Sequence, residues 1–463
     1  MSAQSLTSAI NVLKQQLINL PQQYCSLTSH TEKMLQKDLI LQLAEPIHSI
    51  PLISWLSAQI IYPRVYWQGR DKNEEVAAIG SSKRFHFENE IDDISLADIY
   101  QKQKSLSNNP NVRYYGGLAF DRSIDSWPEF GRAHFVLPRI ELRRSNESFS
   151  LLVNLNFADS TPEVECQRAI ESLNSLVSAK PLMPPYKVNL LARHDSPSFS
   201  RWTELVNQVT EPQFNSDIPK VVLSRVSQLK ISDSIDPWML LACWQGRNPN
   251  SFQFGFQFTP DRTFISCSPE RLFRRHQNEL YTEALAGTTI RGFNQEEDDA
   301  LAQQLLDDSK NSHENQLVRE HIVSMLSPLS QYVGADELPN IFKLNHIQHL
   351  HRSIRAELKT GVNDFQLLQA LHPTPAVGGL PRQAAMTFIR QQEGYIRGWY
   401  AGACGYLNKY ESEFSVAIRS ALIEPKTISL FAGAGIVAGS NPQSEWQELE
   451  NKLATIISIL IDF

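Results

Sequence analysis

The 463-residue sequence has few cysteines, and their spacing does not indicate a disulfide framework or a shared metal site. Its five cysteines lie far apart and lack any CxxC or Cys/His pattern; they are Cys25, Cys166, Cys243, Cys267 and Cys404. Neither a disulfide framework nor a structural zinc site is therefore expected. Such cysteines are typical of small core residues in a reducing compartment, so we expect a cytoplasmic protein.

Long hydrophobic runs are also missing. No stretch approaches the roughly 18 apolar residues that a membrane-spanning helix needs. The first residues, MSAQSLTSAI, lack the basic segment and apolar run of a secretory signal. The most apolar stretch, residues 453–463 (LATIISILIDF), is too short to cross a bilayer and predicts a buried final helix.

An excess of positive charge is the third absence. The chain has 43 Lys+Arg against 50 Asp+Glu, a net charge of −7 and a pI near 6.0. Broad binding to nucleic acid or to an anionic membrane needs a positive field, so neither partner is expected, although a local basic pocket stays possible. With 42% hydrophobic and 20% charged residues, the chain is an ordinary globular one rather than disordered, collagen-like or coiled-coil.

Strand and helix patterns alternate irregularly along the chain, without the strict period of a doubly wound sheet. The simplest fold is therefore of the α+β class, with large mixed, mainly antiparallel β-sheets covered by helices. A soft boundary near residues 180–200 would separate an N-terminal part, 1–196, from a part of different character, 197–463. The predicted helices include 4–19, 164–177, one long polar helix over 296–326, and a final helix that begins near Ser444. The predicted strands include 64–67, 133–137, 149–157, 219–231, 262–268, 412–424 and 427–437.

The glycine-rich segment 431–439 (FAGAGIVAG) follows a predicted strand and matches GxGxxA. A dinucleotide-binding unit is nevertheless excluded, because no helix opens on these glycines and only 24 residues follow Gly439. Two interpretations remain open. The glycines line a strand end where backbone N–H groups approach an anion, or they form a bulge or tight bend.

Three glutamates on predicted helices are candidates for binding a metal. Glu314 lies in the polar helix, and Glu445 and Glu448 share one face of the last helix because they are three residues apart. Each can equally be a solvated helical residue. The chain has no HExxH motif or EF-hand loop, so a metal would be held by residues distant in sequence. One or two carboxylates plus substrate oxygens is a typical Mg²⁺ arrangement.

Lys220 and Glu270 lie at ends of predicted strands, where clefts form. Lys220 opens the apolar run PKVVLS, and Glu270 follows Ser268-Pro269. A desolvated lysine can act as a base and a carboxyl group in an apolar cleft can keep its proton, so the two could be a base and an acid. A snorkelling lysine and a turn glutamate are the alternative.

Nine short motifs together resemble, in order, the signatures of the chorismate-utilising enzymes, which include anthranilate, aminodeoxychorismate, isochorismate and salicylate synthases. They are PKVVLSR (219–225), SPERLF (268–273), EALAGT (283–288), SHENQLV (312–318), QHL (348–350), LHPTPAVGGLP (371–381), AIRSAL (417–422), FAGAGIV (431–437) and EWQELENK (445–452). Upstream, three further segments are similar to the menaquinone-pathway isochorismate synthases: YPRVYWQGRD (62–71), GGLAFD (116–121) and FVLPRIEL (135–142).

This resemblance implies a fold like that of anthranilate synthase component I, one interwoven catalytic unit with its active site in a cleft between sheets. It assigns Lys220 as the base that activates water and Glu270 as the acid that protonates the departing hydroxyl. Glu314 and Glu448 match Mg²⁺ ligands, with Glu445 acting through water. The positions that match binding of the chorismate ring and carboxylates are Gly287, Thr288, His349, Tyr400, Arg419, Gly433 and Lys452.

Two positions favour one reaction within the family. Anthranilate synthases lack a lysine at the position of Lys220, and aminodeoxychorismate synthases often have a nucleophilic lysine where this chain has Ala286. The combination implies water as the nucleophile and therefore an isochorismate synthase. No glutaminase subunit is expected, and the missing LLES motif implies no feedback by tryptophan.

Three alternatives stay open: a salicylate synthase, which expels pyruvate after forming isochorismate; a siderophore-pathway isochorismate synthase; and a non-catalytic relative that binds chorismate-like anions.

Overall fold

The computed structural model describes residues 3–28, 39–88, 109–181, 187–344 and 347–461. The side chain of Cys25 and the last two residues of the predicted final helix lie outside this part of the chain. Of the other cysteines, Cys166, Cys267 and Cys404 are buried, Cys243 is half-buried, and all four are free thiols. No helix among the described residues is both long and apolar enough to cross a membrane.

Eleven α-helices and one 3₁₀ helix form within the described residues. The α-helices are α1 (Leu6–Thr28), α2 (Leu52–Ala58), α3 (Pro162–Asn174), α4 (Phe199–Thr210), α5 (Pro212–Asp217), α6 (Pro237–Arg247), α7 (Gln295–Asp307), α8 (Ser309–Leu326), α9 (Asp364–Leu371), α10 (Arg382–Gln392) and α11 (Pro442–Leu460), and the 3₁₀ helix is Ser327–Leu329. The final helix starts as predicted, because the Asn441 side chain accepts hydrogen bonds from the N–H groups of Gln443 and Ser444.

The same part of the chain forms 22 strands. They are β1 (Ile40–Ile47), β2 (Arg64–Gln68), β3 (Glu74–Ile79), β4 (Lys83–Phe87), β5 (Tyr114–Leu118), β6 (Ala133–Leu137), β7 (Ile140–Ser145), β8 (Ser148–Asn156), β9 (Leu190–Ser196), β10 (Lys220–Ile231), β11 (Phe252–Thr259), β12 (Arg262–Ser268), β13 (Arg271–His276), β14 (Glu279–Ile290), β15 (Ser330–Ala335), β16 (Asn340–Lys343), β17 (Ile347–Leu358), β18 (Gly379–Leu380), β19 (Ala403–Leu407), β20 (Glu411–Val416), β21 (Ser420–Glu424) and β22 (Thr427–Val437).

The strands build two large sheets. The first has the order β1-β8-β7-β3-β2-β11-β12-β21-β22-β10-β18, with β9 also paired to β10. The second has the order β15-β17-β14-β13-β20-β19-β5-β6-β4, with β16 paired to β17. The predicted α+β class, with mainly antiparallel sheets covered by helices, is confirmed. Both sheets combine strands from before and after residue 197, while the division of the chain at 196/197 stays a prediction.

The predicted single helix over 296–326 is wrong. The helix is interrupted at Asp308, which has extended backbone angles (φ −72°, ψ 113°), so that α7 and α8 are separate helices. The Asp308 carboxylate accepts a hydrogen bond from the Asn311 N–H at 2.7 Å, which caps α8. An aspartate inside a polar run therefore ends one helix and starts the next.

The predicted single strand over 412–424 is also two strands. The chain leaves the second sheet at the end of β20 and enters the first sheet with β21. Between them Arg419 has φ 47°, a left-handed conformation that interrupts extended structure. The chain makes the same kind of passage between β12 of the first sheet and β13 of the second, at Pro269 and Glu270.

Candidate active site

A cleft lies where the two sheets meet, and the space between its walls, open mouth included, is about 880 Å³. Eleven of the twelve residues predicted for the site line it. They are Glu270, Gly287, Thr288, Glu314, His349, Tyr400, Arg419, Gly433, Glu445, Glu448 and Lys452. The twelfth, Lys220, lies fully buried beside Glu314, one of the lining residues.

The two passages between the sheets lie side by side at the cleft. The Glu270 carbonyl accepts a hydrogen bond from the Val416 N–H at 3.1 Å, and the Arg419 carbonyl accepts one from the Cys267 N–H at 3.0 Å. Backbone strain at a left-handed Arg419 is typical of a residue held for function. Burial lowers the pKa of Arg419 to about 10, so its guanidinium stays charged at neutral pH.

Lys220 and Glu314 form an ion pair that depends on a glycine. The Lys220 ammonium donates a hydrogen bond to Glu314 Oε1 at 2.7 Å. A Cβ atom on Gly435 would lie 2.8 Å from that oxygen and 3.1 Å from Lys220 Cε. Gly435 is therefore present because the pair occupies the space that a side chain would need.

The glycines of the FAGAGIV segment lie inside β22, where the ladder with β10 runs without a bulge. A Cβ on Gly433 would lie 2.7 Å from the Tyr400 hydroxyl, and the Gly433 carbonyl accepts a hydrogen bond from the Lys452 ammonium at 2.9 Å. Gly433 and Gly435 therefore allow the side chains of other elements to approach the strand closely. A bulge or tight bend, one of the two interpretations left open by the sequence, is absent at these positions.

Glu270 is held in its protonated form. Burial, and then the negative charge of Glu283, raise the pKa of Glu270 to about 8, while Lys220 and Lys452 act in the opposite direction. A carboxyl group with this pKa carries a proton at neutral pH and can donate it.

Helix α11 presents three charged side chains to the cleft. Glu445, Glu448 and Lys452 follow each other at intervals of three and four residues, which places them on one face. Lys452 contacts Glu448, and Lys310 of α8 contacts Glu445 at 3.0 Å. Helices α8 and α11 are therefore joined across the cleft by the ion pair between Lys310 and Glu445.

The carboxylates of Glu314, Glu445 and Glu448 are candidate ligands for a divalent cation. Burial, and then the charge of Glu448, raise the pKa of Glu445, which means that a cation placed here would relieve concentrated negative charge. Within the described ranges no group of three or more Asp, Glu, His or Cys side chains is arranged to hold a metal ion by itself. Mg²⁺ needs none, because it is commonly bound by one or two carboxylates together with water and substrate oxygens, so this donor set fits Mg²⁺.

His349 provides a neutral polar group. Burial, and then the charges of Arg419 and Lys452, lower its pKa well below the usual value. Its Nδ1 lies 2.8 Å from Thr288 Oγ1, and its buried Nε2 has no hydrogen-bond partner in the described part of the chain. An unpartnered buried nitrogen in a cleft is available to a ligand.

Sequence reasoning missed several residues of the site. Lys310 and Asn311 line the cleft, and Lys310 stands one helical turn before Glu314, a spacing that could have identified it. Arg70 and Glu283 lie in motifs identified in the sequence, but no function was predicted for them, because nothing in the sequence indicates that these two residues are in contact.

Comparison with known proteins identifies the family to which the chain is similar. The family described as "Chorismate binding enzyme" matches residues 25–461. The isochorismate synthase MenF of Escherichia coli (strain K12) is 36% identical over 412 residues, which cover 88% of this chain and 90% of the relative. The salicylate biosynthesis isochorismate synthase of Pseudomonas aeruginosa is 36% identical over 351 residues, covering 74% and 73%.

Solved structures give the same fold. The menaquinone-specific isochorismate synthase MenF from Escherichia coli superposes with a TM-score of 0.86 at 33% identity, covering 99% of this chain and all of that one. Anthranilate synthase component I from Streptococcus pneumoniae superposes with a TM-score of 0.71 at 20% identity, covering 92% and 100%. The predicted likeness to the anthranilate synthase component I fold is therefore confirmed.

Proposed function

This chain belongs to the chorismate-binding enzymes, and we propose that it is a Mg²⁺-dependent isochorismate synthase. The observation that carries the proposal is the joint placement of Lys220, Glu270 and Ala286 at one cleft between the sheets. A base, an acid and no nucleophilic lysine at position 286 are what water addition to chorismate requires.

The reaction adds water at ring C2 and loses the C4 hydroxyl as water, without a redox change. Lys220, once it has lost a proton, takes a proton from the attacking water. Glu270 donates its proton to the departing hydroxyl, which the raised pKa of this carboxyl group permits at neutral pH. The reaction is reversible because each group ends in the protonation state that the reverse direction needs.

Fixed cations would hold the two carboxylates of chorismate. Arg419 and Lys452 carry the positive charge, and the Tyr400 hydroxyl and His349 Nε2 lie at the same cleft as polar contacts. Gly287, Thr288 and Gly433 line the same cleft, and the two glycines admit the close approach of Asn311 and of the Tyr400 hydroxyl. Ion pairing to charged groups aligns a dianion more firmly than neutral hydrogen bonds do.

We assign Glu314 and Glu448 as Mg²⁺ ligands, with Glu445 acting through water. Bound Mg²⁺ would supply a fixed positive charge for a substrate carboxylate. Glu448 fits this role because, although burial opposes ionisation, Lys452 and Lys310 keep its pKa below the usual value, so it is ionised at neutral pH.

A role in menaquinone synthesis agrees with the extent of the similarity. The alignment with the MenF relative covers 88% of this chain, and the alignment with the salicylate-pathway relative covers 74%, both at 36% identity. We place the reaction in the cytoplasm, since the four described cysteines are free thiols. A glutaminase subunit has no part in the scheme, because water rather than ammonia attacks.

Product analysis tests the proposal. Purified protein is incubated with chorismate and Mg²⁺, and the products are identified by chromatography and mass spectrometry. We expect isochorismate in equilibrium with chorismate, and none when a chelator replaces Mg²⁺. Salicylate and pyruvate as main products would instead identify a salicylate synthase, and unchanged chorismate would identify a non-catalytic binding protein.

A further inference from the structure

Arg70 and Glu283 form a buried ion pair behind the candidate acid Glu270. Arg70 lies in the loop between β2 and β3, and Glu283 lies in β14. The guanidinium donates to both carboxylate oxygens, with distances of 2.7 Å and 2.8 Å. The Glu283 side chain is only 3% exposed, so the two-point contact is shielded from solvent.

The pair holds the backbone on both sides of Glu270. Arg70 Nη1 also donates to the Pro269 carbonyl at 2.7 Å, and the Arg271 N–H donates to Glu283 Oε1 at 2.8 Å. The residues directly before and after Glu270 are thus bonded to the same two side chains. Glu270 lies in the passage between the sheets, where its carbonyl accepts a hydrogen bond from the Val416 N–H and its own N–H donates to the Ser268 hydroxyl, and the pair adds a hold on either side.

The pair also sets the charge beside Glu270. Burial opposes ionisation of Glu283, but Arg70 and His351 hold its pKa well below the usual value. The resulting negative charge disfavours a second charge on Glu270. The other groups that face Glu270 are Lys220 of β10, Lys452 of α11 and Thr374, and all three favour its ionised form. Glu283 is therefore the only one of these facing groups that keeps the proton on.

We propose that Arg70 and Glu283 are positioning residues for the acid step: they clamp the peptide around Glu270 and place a fixed negative charge beside its carboxyl group. The inference rests on the proposed function, because it concerns the acid of that reaction. It gives the N-terminal part of the chain a share in positioning the candidate acid, through Arg70.

The test compares the pH dependence of kcat/KM for the parent and for Glu283→Gln at saturating Mg²⁺. Activity of the parent should fall as pH rises through about 8, because Glu270 then loses its proton. In Glu283→Gln this alkaline limb should move to lower pH by about one unit, since the like charge is gone. Activity at pH 8 should then fall by roughly fivefold more than activity at the optimum, since about half of Glu270 is protonated in the parent and about a tenth in the variant.

Arg70→Gln should move the limb in the same direction, to lower pH. Burial opposes the charge of Glu283, and without its main counter-charge only the Arg271 N–H and His351 hold that charge, so its negative charge beside Glu270 is weakened. This variant also decides the matter if circular dichroism shows that Glu283→Gln does not fold.

Asp364→Asn is the matched control. Asp364 is also buried and accepts two hydrogen bonds from one guanidinium, from Arg275 Nε at 2.6 Å and Nη2 at 2.8 Å, but it does not line the cleft. It should cost stability and leave the limb in place. A folded, active Glu283→Gln or Arg70→Gln enzyme with the parental limb would overturn the inference.

Infrared titration of the carboxyl band that Glu270→Gln removes gives a readout without turnover. The band should be lost near pH 8 in the parent and at lower pH in Glu283→Gln. Such a shift in a protein that makes no isochorismate would support the positioning pair and refute the proposed function. Production of isochorismate with no shift would do the reverse.

Discussion

At the scale of single residues, the carboxylates facing the helical side of the cleft each have a lysine partner. The pairs are Lys220 with Glu314 at 2.7 Å, Lys310 with Glu445 at 3.0 Å, and Lys452 with Glu448. Their charges balance before any ligand enters. A dianionic substrate and a divalent cation also sum to zero, so the cleft can admit both together without gathering net charge.

Replacing the candidate base tests its role directly. Lys220→Ala should lower kcat/KM for isochorismate formation by about 10²–10⁴-fold, the usual contribution of a general base. Lys230→Ala is the control, because Lys230 is an exposed lysine on the same strand. Equal turnover by the folded Lys220→Ala protein and the parent would refute the assignment.

Removing one candidate metal ligand should change the demand for Mg²⁺. Glu314→Gln keeps the size of the side chain but removes its charge, so we expect the Mg²⁺ concentration at half-maximal activity to rise at least about tenfold. Glu320→Gln, an exposed glutamate on the same helix, should leave the Mg²⁺ titration unchanged. The metal assignment fails if chelator does not reduce parental activity.

Much of the site could be predicted residue by residue, and a specific part could not. The strand-end positions of Lys220 and Glu270 could be predicted, because a short apolar run indicates a buried strand from local sequence alone. Arg70 and Glu283 are 213 residues apart, and their contact depends on how β2 and β14 are placed by two different sheets. Local patterns carry no information on such a meeting.

At the scale of elements, β22 and β10 form the floor of the site through one ladder. Gly433 pairs with Ser224 and Gly435 with Val222, so the glycines of one strand leave room above the Lys220 end of the other. The period of a strand predicts which residues share a face, but not which side chains from a third element lie over them. The close approach of Tyr400 and Glu314 was therefore hidden in the sequence.

Gly435→Ala should disturb the Lys220–Glu314 pair. Its new methyl group would lie 2.8 Å from Glu314 Oε1, so we expect at least a tenfold loss of kcat/KM and a loss of about 1–3 kcal/mol in the free energy of unfolding.

The same exchange at Gly246 is the control. Gly246 lies in α6 with nothing within 4 Å of an added Cβ, and Ala there should stabilise the protein by about 0.5–1 kcal/mol. Thermal unfolding and steady-state kinetics measure both variants. Normal activity in Gly435→Ala would mean that the pair has room to move.

At the scale of the whole molecule, the two sheets are shared between the N-terminal and C-terminal parts of the chain. Strand β11 pairs with β2, and β19 pairs with β5, so strands from after residue 197 lie directly against strands from before it. In addition, Arg70 from the N-terminal part binds the backbone next to Glu270. The motifs after residue 197 contain the candidate catalytic residues but not all that holds them.

Residues 197–463 expressed alone should therefore fail to form a stable enzyme. Removing β2 and β5 leaves β11 and β19 as buried edges with unpaired N–H and C=O groups, which favours aggregation. We expect an insoluble or non-cooperatively unfolding fragment without isochorismate synthase activity, with the full chain as the positive control. Co-expression of residues 1–196 should restore part of the activity, because the missing strands and Arg70 return together. A soluble fragment 197–463 that turns chorismate over with the parental pH profile would show that the C-terminal part is an independent domain and that Arg70 has no role in the acid step.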